Sequence, residues 1–223
     1  MVVPDGRLGS TPMETTGAER GLFIAFEGGE GSGKSTQSRL LAGWFEAQGR
    51  SVVLTRQPGG TDVGATLRSI LLSPETGDLA PRTEALIYLA DKAEHAAKVV
   101  GPALDAGQVV ITDRYVESML AYQGAGRDLD PRELEPIADW ATGNLNPDIT
   151  IVLDVDPEVG LARAGDHDRI EAEPVEFHER VRQYFLKAAS DSPAHIVIAA
   201  SGTPAEIHER IVVALAERLV SGR

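Results

Sequence analysis

Residues 22–37 read LFIAFEGGEGSGKSTQ, and this stretch leaves few folds open. Leu22 to Phe26 is a short apolar run, too short for a helix, which predicts a parallel strand buried on both faces. It leads into Gly28-Gly29-Glu30-Gly31-Ser32-Gly33-Lys34-Ser35, the spacing G-x-x-x-x-G-K-[ST], and a helical segment is expected over 38–48. Glycines in such a loop let successive backbone N–H groups wrap a phosphate, and the following helix adds the positive end of its dipole. Lys34 is then placed for β- and γ-phosphates and the Ser35 hydroxyl for Mg²⁺. The strand–loop–helix context distinguishes this motif from a chance glycine-rich turn. A nucleoside triphosphate site is expected.

Anions must therefore be bound by a chain whose net charge is −13. That balance argues against non-specific nucleic-acid or anionic-membrane binding. It also makes each Arg or Lys near the loop informative, because positive charge has to be concentrated locally. The chain has no cysteine, which rules out disulfides, thiolate metal sites and a Cys nucleophile. No apolar run reaches the length of a membrane span, and residues 1–20 lack the apolar core of a signal peptide. Those first residues read as a disordered tail, and residues 21–223 as one domain of a cytoplasmic protein.

Further apolar runs at 51–55, 109–112, 149–154 and 195–199 alternate with helical patterns. This predicts an α/β fold, a five-stranded parallel sheet with helices on both faces. Arg56 ends the second run, where ligands of open α/β sheets bind. The long helical stretch 83–106 has Leu86, Leu89, Ala93 and Ala97 as its expected inner face. Tyr88 and Lys92 stand four apart and project from one side, a spacing that by itself favours a core tyrosine and a solvated lysine. Asp113 directly after the third run is the Walker-B arrangement, an oxygen ligand near Mg²⁺, and its neighbour Arg114 suits bidentate phosphate contact. Residues 165–169 are polar and turn-like, as a lid would be, and the histidines show no metal-ligand spacing.

Arg56, Lys92 and Arg114 come from strand ends and the long helix, so they can converge on a second phosphate facing the first. No Ser, His or Asp stands out as a base for an alcohol acceptor. An acceptor that is itself a phosphate needs none, and catalysis would then consist of positioning and charge neutralisation.

In order and spacing, FEGGEGSGKST, TRQPGGT, TEALIYLADKAEH, DRYVESMLAYQGAG and PDITIVLDVDPEVGLAR followed by DRIE resemble the bacterial thymidylate kinase family from about Gly21 to near the end. The resemblance implies a homodimeric P-loop kinase that transfers the γ-phosphate of ATP to dTMP with Mg²⁺. It implies that Gly28, Gly29, Glu30, Gly31, Ser32, Gly33, Lys34, Ser35 and Thr36 hold the ATP phosphates, with Glu30 also approaching the metal or the sugar of dTMP. Arg56 and Arg114 would bind the dTMP phosphate, and Tyr88 would stack on thymine. Tyr122 would lie beside the deoxyribose, with Gln123 in the base pocket and Ser118 and Lys92 in the same substrate-binding set. Ser35 and Asp113 would serve the metal.

Four departures stand out. Gln57 replaces the Glu of the R-E-P pattern, and Lys92 an Arg that is planar and two-pronged. Met119 replaces a small polar residue. Ser32 leaves the P-loop without an arginine, so the lid at about 163–173 should supply one, from Arg163 or Arg169. Two other readings stay open: a kinase of another pyrimidine monophosphate, and a nucleotide-binding regulator with weak catalysis.

Overall fold

The structure, a computed structural model, describes residues 20–164 and 168–221. The tail expected over 1–20, apart from Arg20, and residues 165–167 of the expected lid lie outside the described residues.

In chain order the elements are β1 (Leu22–Glu27), α1 (Lys34–Glu46), β2 (Val52–Arg56), α2 (Asp62–Leu72), α3 (Pro81–His95), α4 (Gly101–Asp105) and β3 (Val109–Asp113). They continue as α5 (Val116–Met119), α6 (Pro131–Thr142), β4 (Ile149–Asp154), α7 (Pro157–Ala164), α8 (Val175–Asp191), β5 (His195–Ala199) and α9 (Pro204–Ser221). All five strands are parallel, in the order β2-β3-β1-β4-β5. β1 is central and its side chains alternate between two cores. Ile24 and Phe26 pack with Leu41, Phe45, Ile211 and Leu215 of α1 and α9. Phe23 and Ala25 pack with Val100, Leu104 and Tyr115 on the other face. Helices cover both faces, which is why this strand tolerates no polar residue before Glu27.

Helix α1 begins four residues earlier than the sequence pattern indicates. Gly33 takes a left-handed conformation (φ 94°) and the helix starts at once, so Lys34 and Ser35 lie in its first turn. The side chain of Thr61 caps α2 by accepting from the Gly64 N–H (2.9 Å).

The expected inner face of the long helical stretch needs correction. Leu89 is buried, but Leu86 is 61% exposed and Ala97 is also exposed, while Glu84, Asp91, Lys92 and His95 are buried. This helix turns a polar stripe inward because it forms the wall of a cavity rather than only a lid over the apolar core. π-helical turns at Ala96–Val100 and Leu120–Gly126 shift the helical phase and follow α3 and α5.

Candidate active site

The carboxyl ends of β1, β2 and β3 open into a cavity of about 430 Å³. The loop 28–33 forms its floor and is pressed against backbone. A Cβ on Gly28 (φ 130°) would lie 2.4 Å from the Leu153 carbonyl oxygen, and one on Gly31 (φ 61°) 1.9 Å from that of Gly160 in α7. Only glycine fits at either position. Lys34 is 7% exposed, and its Nζ donates to the carbonyls of Gly28 (3.0 Å) and Gly29 (2.6 Å) and to Ser32 Oγ (3.3 Å). Burial and the nearby Arg114 push its ammonium down to about 8, against the pull of Glu30 and Asp113. Ser35 Oγ donates to Asp113 Oδ2 at 2.5 Å, bringing the hydroxyl of the loop and the carboxylate ending β3 together as two oxygen donors. That pair suits a hard divalent cation. Among the described residues no cluster of three or more His, Asp or Glu is arranged to hold a metal.

Arg114 dominates the centre. Its backbone is left-handed (φ 69°), fixed by its N–H donating to the Phe26 carbonyl (2.9 Å). The guanidinium donates to the Gly28 carbonyl (3.1 Å), Ser118 Oγ (3.0 Å), Tyr122 Oη (3.1 Å) and Glu30 Oε1 (2.5 Å), and lies 4.8 Å from the Tyr122 ring centre. Burial alone would raise the Glu30 carboxyl, but Arg114, Lys34 and the Tyr122 hydroxyl, which donates to it, hold it down at about 2. Beneath this pair Glu27 is fully buried. It accepts from the Tyr115 N–H (2.8 Å), the Ser118 N–H (3.1 Å) and the Ser118 hydroxyl (2.5 Å). The Ser118 proton is thus committed to Glu27, and its oxygen serves to orient Arg114.

Lys92 is 2% exposed, not solvated as its spacing suggests. Nζ donates to the Tyr115 carbonyl (2.7 Å) and Gln57 Oε1 (3.1 Å). With that oxygen taken, the Gln57 amide nitrogen, 2.8 Å from His95 Nδ1, must donate. His95 is therefore neutral with its proton on Nε2, 2.7 Å from Thr55 Oγ1. Burial, helped by Lys92, pushes the imidazole down to about 4, and burial puts the Lys92 ammonium at about 8. Gln57 and Lys92, two of the four departures, thus bond to each other. The Gln57–Pro58 peptide is cis, and the loop after it is tied down by the Gly59 N–H donating to Asp91 (2.9 Å).

The cavity wall also includes Arg56, Tyr88, Tyr122 and Gln123 from the expected substrate set, the departure Met119, and Arg163 from α7. Arg163 donates to the Ala200 carbonyl (3.2 Å). Arg169 is not part of that wall: its guanidinium pairs with the buried Glu84 and donates to the Leu71 carbonyl (2.9 Å). Of the two arginines expected from the lid, only Arg163 borders the cavity in this conformation. Three contributors escaped the sequence reading. Arg68 of α2 lines the cavity and donates to the Pro58 carbonyl (3.1 Å); its signal was a lone arginine in an apolar helix next to TRQPGGT. Glu27 and Glu84 are carboxylates in apolar surroundings, a signal of buried pairing.

The sequence pattern of the thymidylate kinases matches residues 26–211. The chain belongs to the thymidylate kinase family. Thymidylate kinases of Leifsonia xyli (51% identical, 86% of this chain and 92% of that one) and of Synechococcus (49%, 89% and 96%) are among its relatives. The crystal structure of thymidylate kinase from Ehrlichia chaffeensis superposes with a TM-score of 0.75 at 33% identity, covering 88% of this chain and 99% of that one. The P-loop, the Arg114 cluster and the Lys92–Gln57 pair all fall within the matched span of this thymidylate kinase family member, as does α7. No helix among the described residues is long and apolar enough to cross a membrane.

Proposed function

We propose that this chain transfers the γ-phosphate of ATP to dTMP, giving ADP and dTDP, in the 430 Å³ cavity. Membership of the thymidylate kinase family supports the reaction. The observation that carries it in the site is that one cavity joins the P-loop lysine to a separate set of cations, Arg56, Arg68 and Arg114. One set suits the phosphates of a triphosphate and the other a second, acceptor phosphate. The acceptor oxygens are ionised near neutral pH, so no general base is required, and the residues near the site supply positive charge and position instead.

In this reading the loop 28–36 holds the ATP phosphates. Ser35 and Asp113 would hold Mg²⁺, which supplies charge neutralisation between the phosphates when bound. Arg114 is kept charged and aimed by Glu30, Ser118 and Tyr122, and exchanges part of this set for phosphate oxygens when dTMP enters. Tyr88, Lys92, Met119 and Gln123 enclose the base. Arg163 is the candidate for the arginine that reaches the transferred group, and Arg169 fills that role only if the lid rearranges. A homodimer fits the apolar side chains exposed on the neighbouring helices α2, α3 and α6: Ile70, Leu86, Ile137 and Trp140.

The test is ADP release with ATP, Mg²⁺ and each of dTMP, dUMP, UMP and dGMP. The largest kcat/KM is expected for dTMP, and Arg114→Ala should lower it by about 10³-fold. A larger value for any other monophosphate defeats the substrate reading. Tight binding of both nucleotides without turnover defeats the enzyme reading.

A further inference from the structure

Glu84 is the most fully enclosed carboxylate of α3, with no exposed surface, and the reaction proposed above gives it no part. Oε1 accepts from Gln123 Nε2 (2.9 Å) and Arg127 Nε (3.2 Å), and Oε2 is paired with the Arg169 guanidinium. Arg127 also pairs with Glu173, so one carboxylate joins Gln123 of the cavity wall to Arg169 and, through Arg127, to Glu173 at the end of the lid segment. Burial opposes its ionisation, but the bonds from Gln123 and Arg169 and the charge of Arg127 hold Glu84 below the ordinary carboxylate range.

An ionised carboxylate only accepts, so it dictates which end of the Gln123 amide faces it. The nitrogen points to Glu84, and Oε1 of this cavity-lining residue is left buried and without a hydrogen-bond partner among the described residues. A buried amide oxygen needs a donor, and a ligand in the cavity is the available source. We infer that Glu84 is a specificity-determining positioning residue: it locks the Gln123 amide with its oxygen as the acceptor for the ring, so that the site takes pyrimidines carrying a ring N–H and rejects those carrying a bare ring nitrogen there. Thymine and uracil offer the N–H at N3, whereas cytosine offers only a lone pair. The methyl group plays no part in this selection. The inference rests on the reading that the cavity takes a pyrimidine monophosphate.

Replacing Glu84 by Gln turns one of its two oxygens into an amide nitrogen. In one orientation that nitrogen faces Gln123, which can then turn over and present its own nitrogen to the ring. The experiment measures kcat/KM for dTMP and dCMP in wild type, Glu84→Gln, Gln123→Ala and the double variant. The wild-type dTMP:dCMP ratio should be large, because a site built to bond an N–H rejects the analogue lacking it by about 10⁴-fold. Glu84→Gln should cut this ratio at least about tenfold, and should change it no further once Gln123 is Ala. Lost turnover with an unchanged ratio, or equal effects in both backgrounds, overturns the inference and leaves Glu84 a fastening for Arg127 and Arg169. If Glu84→Gln does not fold, Glu84→Asp keeps the charge and withdraws it from Gln123, and the same ratio decides. Wild type that fails to phosphorylate dTMP would instead refute the underlying pyrimidine reading.

Discussion

Gly160 of α7 touches no nucleotide group in the reading above, yet its replacement by Ala should cripple turnover. Its Cβ would lie 2.3 Å from the Glu30 carbonyl oxygen and 3.2 Å from Val155 Cγ1. Restoring ordinary contact at about 3.5 Å means moving the P-loop and α7 apart by about 1 Å. Global stability should change little: crowding costs about 1–3 kcal/mol, and the better helix propensity of Ala returns up to about 1 kcal/mol. Catalysis has no such offset. Misplacing the phosphate cradle by about 1 Å costs about 10²-fold, or about 2.7 kcal/mol of transition-state stabilisation. Steady-state kinetics should give kcat/KM for ATP reduced by about that factor, with the melting temperature within about 8 °C of wild type. Gly43→Ala is the control, since its Cβ meets nothing within 4 Å in α1, and it should leave kinetics unaltered. Unchanged kcat and KM for ATP in Gly160→Ala would refute the reasoning that the P-loop is held in place by this contact.

Arg68→Ala should raise KM for dTMP by about 10- to 100-fold, the worth of a charged hydrogen bond, with KM for ATP nearly unmoved; equal effects on both would remove Arg68 from the acceptor side. Lys34 and Lys92 hold their protons less well than free lysine, both at about 8, so kcat/KM for ATP should fall as pH rises through about 8. The stability of the unliganded protein should move the other way, rising from about pH 8 to 10.5, because there the unfolded chain binds more protons. A flat activity profile to pH 9.5 would contradict those buried ammonium groups. Leu86→Glu and Trp140→Glu place charges on the exposed apolar faces of α3 and α6, and sedimentation should find a dimer for wild type and monomers for both variants; dimers in both variants would move the interface elsewhere, and a monomeric wild type would remove it.

Strands and phosphate loop were legible because they rest on local rules: apolar runs bounded by Gly, Pro, Asp and other polar residues place every strand within a residue of its position. The polar face of α3 was not, since periodicity cannot tell a core face from a cavity wall that buries Glu84, Asp91, Lys92 and His95. Lys92 illustrates the difference. Its spacing suits a solvated lysine, and only the tertiary meeting with Gln57 and the Tyr115 carbonyl explains its burial. The π-helical turns after α3 and α5 add a residue to the helical count, and no propensity marks where they fall. Arg169 matched a lid motif, but its partner Glu84 lies 85 positions away, beyond any local pattern.

The left-handed backbone of Arg114 sets local comfort against chemistry. Glycine, or more weakly asparagine, would relax there by about 1 kcal/mol. A lineage relieved of the need to move phosphate would find that exchange downhill at this residue, and the substitution would erase its central cation in one step. In related chains, the residue directly after the β3 aspartate is therefore a sensitive indicator of whether the cavity is still under selection for turnover or only for binding.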